Sequence, residues 1–278
     1  MEYVPAQFIE NVTRTIWSDS LKRLNFGRRW SSFATKTRGL TAVSINIGVS
    51  NNDVSCVLEL SASDTIVDVS LLNPKKYYIS RISINSRGNP ELSPLTEEIL
   101  TKLKKMCTNG YKRLDDVVIS VACDGSPQIL DLLESVVSLQ QCTINYRHLN
   151  YRHLNPFLKR MLNQTVKIFH KYNSGIDRES GNLLRLALKE KRLRQLHLLV
   201  TTKSKKSCNN IVKTILYDIT WHKRCRIELS KHYEELVTSF RSSLKPRTLS
   251  DFFETPNGTL IQLLNPAGYE ISYEGYEN

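Results

Sequence analysis

Val117-Val118-Ile119-Ser120-Val121 is a run of β-branched residues that gives way to Asp124-Gly125-Ser126-Pro127 and then to Ile129, Leu130, Leu132, Leu133, Val136 and Val137. The first run reads as a strand, because branched side chains fit a pleated surface. Asp124-Gly125 is a turn, Ser126 is placed as an N-cap, and Pro127 suits the first helical position, where its missing N–H is not needed. The apolar residues that follow make one broad helix face. A second strand, Cys142-Thr143-Ile144-Asn145-Tyr146, comes next. Strand, helix and strand in this order demand a parallel pair with a right-handed crossover.

The same alternation extends outward in both directions. Upstream, Tyr78 to Ile84 reads as a strand and Thr96 to Cys107 as a helix, with early acids and later lysines that match the helix dipole and Asn109-Gly110 as its stop. Further upstream, Ala42 to Val49, Val54 to Leu60 and Ile66 to Leu71 read as strands with short polar turns between them. Downstream, helices are expected over Pro156–Phe169, Asn182–Lys191, Asn209–Trp221 and about Lys231–Leu244, with strands over Leu193–Thr201 and Arg224–Leu229. Thr259–Leu264 and Tyr269–Tyr273, joined by Asn265-Pro266-Ala267-Gly268, carry a hairpin signal that could cap an open sheet edge.

Strand centres fall roughly 25 to 50 residues apart, looser than the 20 to 29 of leucine-rich repeats, and the fixed leucine and asparagine pattern is not kept. Two architectures fit: an irregular leucine-rich-repeat-like arc, or a doubly wound α/β domain. The arc is preferred, because no Gly-rich phosphate turn follows any strand. The expected fold class is therefore α/β. A short helical segment, 1–38, precedes a repeat-like body with mostly parallel strands, 39–250, and a hairpin cap, 251–278.

In the N-terminal segment, Pro5 suits a first helical turn, and Phe8, Ile9, Val12 and Ile16 form one apolar stripe. Ser18-Asp19 offers an N-cap for a second helix with Leu21 and Leu24, and Trp30 and Phe33 centre a third after Gly27. Three short helices cannot bury much alone and must pack on a partner, on the body, or on both. Val4-Pro5, Phe8-Ile9, Val12, Ile16, Asp19, Leu21, Leu24 and Arg29-Trp30 together resemble an F-box, with Val4 where that family usually has Leu. The whole chain resembles the nematode-expanded set of F-box-like proteins, whose body is an irregular α/β domain. The resemblance implies a non-enzymatic adaptor. Val4, Pro5, Phe8, Ile9, Val12, Leu21 and Leu24 would contact a Skp-type adaptor of a cullin–RING ubiquitin ligase, Trp30 would brace the third helix, and the body would hold a substrate protein.

The chain has 278 residues, 40% apolar and 24% charged, as expected of a soluble globular protein. No apolar run approaches the roughly 20 residues that span a bilayer, and Glu2, Gln7 and Glu10 interrupt any secretory signal. A cytoplasmic or nuclear location is expected. The six cysteines are scattered, with no Cys-x-x-Cys, and read as buried reduced thiols.

The net charge of +12 is uneven: from Arg147 to Lys231 there are 20 Lys and Arg against 5 Asp and Glu. Such an excess attracts acidic partners or nucleic acid, or is simply a solvated face. Arg147, Arg152, Lys189, Lys191, Arg192, Arg194, Lys203, Lys205 and Lys206 are its candidate surface. The alternative to the adaptor is thus a protein- or RNA-binding module without ligase coupling.

No catalytic constellation is evident. There is no Gly-x-Ser-x-Gly and no Gly-rich loop with Lys. His222 and Cys225 lack a second ligand pair, so neither metal nor cofactor is expected. Asp115-Asp116 reads as a solvated turn ahead of a strand. Tyr146-Arg147-His148-Leu149-Asn150 is repeated at Tyr151-Arg152-His153-Leu154-Asn155, a period of neither helix nor strand, and reads as a loop insertion.

Overall fold

The structure, a computed structural model, describes residues 40–50, 53–61, 63, 65–68, 72–86, 93–108, 114–120, 126–145, 152–164, 166–172, 178–190, 193–199, 206–222, 225–239, 245–246, 252–255 and 260–264. The expected F-box-like segment, with Val4, Pro5, Phe8, Ile9, Val12, Leu21, Leu24 and Trp30, lies outside them, as does Tyr269–Tyr273. The fold is α/β, with mixed, largely parallel sheet, and it divides into two compact units, Met1–Gln140 and Gln141–Asn278.

In the first unit, β1 (Thr41–Ser50) pairs antiparallel with β2 (Asp53–Leu60), as alternation and the intervening polar turn predict. Two short strands, β3 (Ile66–Val67) and β5 (Ser93–Pro94), cover the outer side of β2. β4 (Tyr77–Asn85) runs parallel to β1, and β6 (Leu114–Ile119) parallel to β4. The register aligns Leu58, Ile45, Ile82 and Val117 in one lateral row and Cys56, Ile47, Ile84 and Ile119 in the next. All eight are buried. Full burial of such a side chain stabilises by about 1.5–3 kcal/mol, which makes these rows the centre of the unit.

Ser80 is an extra residue in β4, inserted where the register shifts beside Val43. Its hydroxyl lies 3.2 Å from the Val43 carbonyl and donates to it, restoring a partner to a group the bulge disturbs.

Helices α1 (Glu97–Thr108) and α2 (Pro127–Ser135) pack on one another and are joined by Lys104 Nζ and Asp131 Oδ2 at 2.6 Å. Three local expectations need correction. Ser126 holds the expected N-cap position of α2, but its side chain makes no capping hydrogen bond; its carbonyl accepts from Ile129 and Leu130 instead. Val136 and Val137 fall beyond the helix. Asp115-Asp116 is not a turn but the start of β6, where Asp116 sits opposite Arg81 and faces its Nε at 3.6 Å.

The second unit winds in one direction. β7 (Leu139–Asn145), η1 (Arg152–Leu154, a 3-10 turn), α3 (Asn155–Gln164), β8 (Ile168–Tyr172), α4 (Arg178–Lys189), β9 (Gln195–Leu199), α5 (Lys206–His222) and β10 (Arg226–Ser230) follow in order. From Gln141 onward β7 is parallel to β8, β8 to β9 and β9 to β10, so each neighbour in the sheet is also the next strand in the chain. Consecutive helices pack together. Arg185 Nε and Asp218 Oδ2, at 2.6 Å, tie α4 to α5, and Asn155 Nδ2 donates to Glu179 Oε2 between α3 and α4.

β8 was not expected, since the sequence reads as a single helix from Pro156 to Phe169. The chain leaves the helix after Gln164, where the Val166 N–H closes on the Met161 carbonyl, and the Lys167 carbonyl accepts from Arg194 and Gln195 at the entrance to β9. Phe169 is buried as a helix position would be, but it lies in a sheet row with Cys142, Leu196, Ile227 and Ile261.

The long helix expected from Lys231 is, in its described part, a 3-10 turn, η2 (Lys231–Tyr233), and a short helix, α6 (Glu234–Ser239). At the C-terminal end, β13 (Leu260–Leu264) lies between β10, to which it is parallel, and β12 (Phe252–Glu254), to which it is antiparallel; β11 (Lys245–Pro246) follows β12. The described antiparallel pair here is therefore β12–β13. Of the duplicated pentapeptide, the second copy forms a helical lead-in: Leu154 is fully buried and Asn155 starts α3, so this copy is not all loop.

Candidate functional site, a buried polar row across the second sheet

In a parallel sheet, residues in register stand side by side and alternate residues share a face. In the second unit one face carries the apolar row of Phe169. The other carries Thr143, His170, His197, Glu228 and Gln262, one from each of β7, β8, β9, β10 and β13. One step toward the strand starts, on the same face, Gln195 stands beside Arg226. Thr143, His197 and Glu228 are buried, with Glu228 only 3% exposed.

The members of the row on β9, β10 and β13 are in polar contact. His197 Nδ1 is 2.6 Å from Glu228 Oε2, and Arg226 Nη2 is 2.8 Å from Glu228 Oε1. Arg226 Nη2 also donates to Gln262 Oε1 at 3.1 Å. The Gln195 amide nitrogen reaches His197 Nε2. His197 Nδ1 faces the carboxylate. The His170 and His197 rings lie 4.1 Å apart between centroids, tilted by 36°.

These contacts set the charge states. Burial of Glu228 works against ionisation, but the His197 hydrogen bond and the electrostatic pull of His197 and Arg226 outweigh it and hold the carboxyl below its usual range. Burial, and then the neighbouring His197, lower His170 to about 3 against a smaller opposing pull from Glu228. Near neutral pH, His170 is therefore an uncharged imidazole.

A carboxylate behind Nδ1 is the arrangement that orients a general base. Here the other nitrogen is occupied by Gln195, and the ring is 6% exposed. The described arrangement is a buried polar network that links β9, β10 and β13. Among the described residues, no group of three His, Cys, Asp or Glu is arranged to hold a metal ion. The described cysteines, Cys56, Cys107, Cys142 and Cys225, are buried free thiols. Burial pushes Cys56 up to about 11, and Cys107 to about 12 against a hydrogen bond with Ser135. Neither is a thiolate at neutral pH.

Of the basic residues singled out in the sequence, Lys189, at the end of α4, and Arg194, ahead of β9, are exposed. The side chains of Arg147, Arg152, Lys191, Arg192, Lys203, Lys205 and Lys206 lie outside the described residues. Sequence reasoning did not find the polar row. The available signal was a polar residue at 143, 170, 197 and 228 inside otherwise apolar strands, visible only once β8 is recognised. Among the described residues no helix is long and apolar enough to cross a membrane. The chain matches no family model, no curated protein and no solved structure.

Proposed function

We propose that the protein is a non-enzymatic substrate receptor. Its F-box-like segment, 1–38, would engage a Skp-type adaptor of a cullin–RING ubiquitin ligase, and its body is an irregular leucine-rich-repeat-like arc that holds a substrate protein. The observation that carries the reading of the body is the strand order of the second unit, which advances from β7 to β10 without reversal. Right-handed crossovers in one direction put successive helices on one face of a sheet, whereas a doubly wound fold reverses direction and covers both. One-way winding of this kind is shared with solenoids, which hold protein partners. Support for the adaptor half is the residue pattern from Val4 to Trp30.

The test is co-purification with a Skp-type adaptor. The full chain is expected to retain it, while a chain beginning at Gly39 and the double variant Phe8→Asp, Ile9→Asp lose it by at least tenfold with an unchanged thermal transition of the body. Equal retention by all three overturns the adaptor reading. Retention by none also overturns it, and the basic region between Arg147 and Lys231 then becomes the leading surface. In that case affinity for an acidic protein or a generic RNA should fall steeply as salt rises.

A further inference from the structure

The expected hairpin between Thr259–Leu264 and Tyr269–Tyr273 finds little edge on β13. β10 runs along all of β13 on one side, and β12 takes Leu260 to Gln262 on the other. The next strand out, β11, is only Lys245-Pro246, and proline has no N–H to offer a further strand. Residues 265–278 are thus left without that partner. They carry Glu270, Glu274 and Glu277, no Lys, Arg or Asp, and Tyr269, Ile271, Tyr273 and Tyr276 set between the acids. Such a segment complements a basic surface that also exposes apolar groups.

The helices of the second unit present that surface. Leu186 on α4 is 41% exposed and Tyr217 on α5 is 57% exposed. Arg185 and Asp218 join the two helices. Leu186 follows Arg185 by one residue and Tyr217 precedes Asp218 by one, a rotation of about 100° around each axis. Both helices return between parallel strands and so run the same way. The two rotations therefore turn to the same side of the ion pair, and the exposure of both side chains makes it the outer side. Lys189 lies three residues after Leu186 and Lys213 four before Tyr217, on the same helix faces. Both lysines are exposed, and neither has an ionic partner among the described residues. The surrounding stretch, Arg147 to Lys231, holds 20 Lys and Arg against 5 Asp and Glu.

We propose that residues 265–278 dock across the outer face of α4 and α5, setting apolar side chains against Leu186 and Tyr217 and glutamates against Lys189 and Lys213. Both belong to the second unit. Fully extended, this segment reaches about 45 Å beyond β13. That exceeds the length of α5, about 25 Å, plus one helix diameter of about 10–12 Å. An outside acidic partner then gains this part of the basic region only by displacing the segment, so the chain carries its own competitor for the face.

The experiment is carbodiimide cross-linking, which joins carboxylates to lysine amines in direct contact. It uses an equal mixture of isotopically labelled and unlabelled full chains, and the products are mapped by mass spectrometry. Docking predicts cross-links from Glu270, Glu274 or Glu277 to Lys189 or Lys213 within one chain. Their yield should fall about fivefold in the double variant Leu186→Ser, Tyr217→Ser, which loses the apolar contacts. Poly-glutamate, used as an acidic probe at low salt, should bind the triple variant Glu270→Gln, Glu274→Gln, Glu277→Gln about fivefold more tightly than the wild type. Absence of these cross-links, their occurrence only between differently labelled chains, an undiminished yield in the double variant, or no gain in poly-glutamate binding overturns the docking. If the double variant does not fold, the cross-link map and the poly-glutamate comparison decide alone.

Discussion

Each unit carries a polar row on the sheet face opposite its apolar rows, and the two rows are built from different chemistry. In the first unit the row is Glu59, Ser44, Arg81 and Asp116. Asn46 Nδ2 donates to Glu59 Oε2 at 2.9 Å, and Ser44, Ser61 and Ser80 are linked through their hydroxyls. Glu59 and Arg81 are partly open to water. In the second unit the corresponding row contains two imidazoles and a carboxylate that is 3% exposed. Alternation along a strand decides that a polar row exists. Burial and the choice of His over Ser or Asn decide whether it responds to protons.

The sharpest way to break this contrast is Glu228→Ala. Removing one partner of a buried ionic contact leaves the other charge uncompensated, at a typical cost of 3–5 kcal/mol. Arg226 can turn to solvent, since its side chain is 52% exposed, but His197 cannot, at 8%. Denaturant unfolding at pH 7.5 should therefore show a loss of about 3 kcal/mol or more, concentrated in the second unit by amide exchange. A loss below about 1 kcal/mol, the scale of an exposed pair, would mean that Glu228 is not part of a buried row in solution.

A smaller effect is expected from Ser80→Ala in the first unit. Ser80 is buried, and its hydroxyl bridges the Val43 carbonyl and Ser61 Oγ, the latter at 2.8 Å. Leaving a buried acceptor short of a donor costs about 1–3 kcal/mol. No imidazole takes part, so this loss should be the same at pH 7.5 and pH 5. A pH-dependent loss at Ser80 would erase the distinction between the two rows.

The two rows also differ in how far the sequence revealed them. β1, β2 and β4 were legible because Val43, Ile45 and Ile47, and then Ile79, Ile82 and Ile84, sit in short runs bounded by polar turns. The helices α1 and α2 were legible from the charges of the first and from Pro127 at the start of the second. β8 was hidden because Phe157, Leu158, Met161, Leu162, Val166 and Phe169 keep a helical period straight through the true boundary at Gln164. The break is made by backbone contacts of Val166 and Lys167, which leave no mark on the side-chain pattern. Without β8, His170 is an isolated histidine just past the end of an expected helix. With it, His170 aligns with His197 and Glu228, residues far apart in sequence that only the parallel register joins. Asp116 was misread for a related reason: its partner, Arg81, belongs to a different strand, and a charge with a partner across the sheet looks like a turn when read alone.

That pair supplies the mildest test. Arg81 and Asp116 are ionic partners across parallel strands, as Arg226 and Glu228 are neighbours on one strand, but the Arg81–Asp116 separation is 3.6 Å rather than 2.8 Å and Arg81 is half exposed, at 51%. Water screens the attraction and the long side chain loses freedom when it is held, so exposed pairs contribute about 0–1 kcal/mol. Asp116 is less open than Arg81, at 18%, which keeps the expected loss for Arg81→Ala above zero. The unfolding midpoint should shift by an amount equivalent to about 0.5 kcal/mol and move toward wild type in high salt, as wild type itself loses the screened attraction. A cost approaching that of Glu228→Ala would show that the first row is as deeply coupled to its sheet as the second. The two units would then differ in protonation chemistry alone.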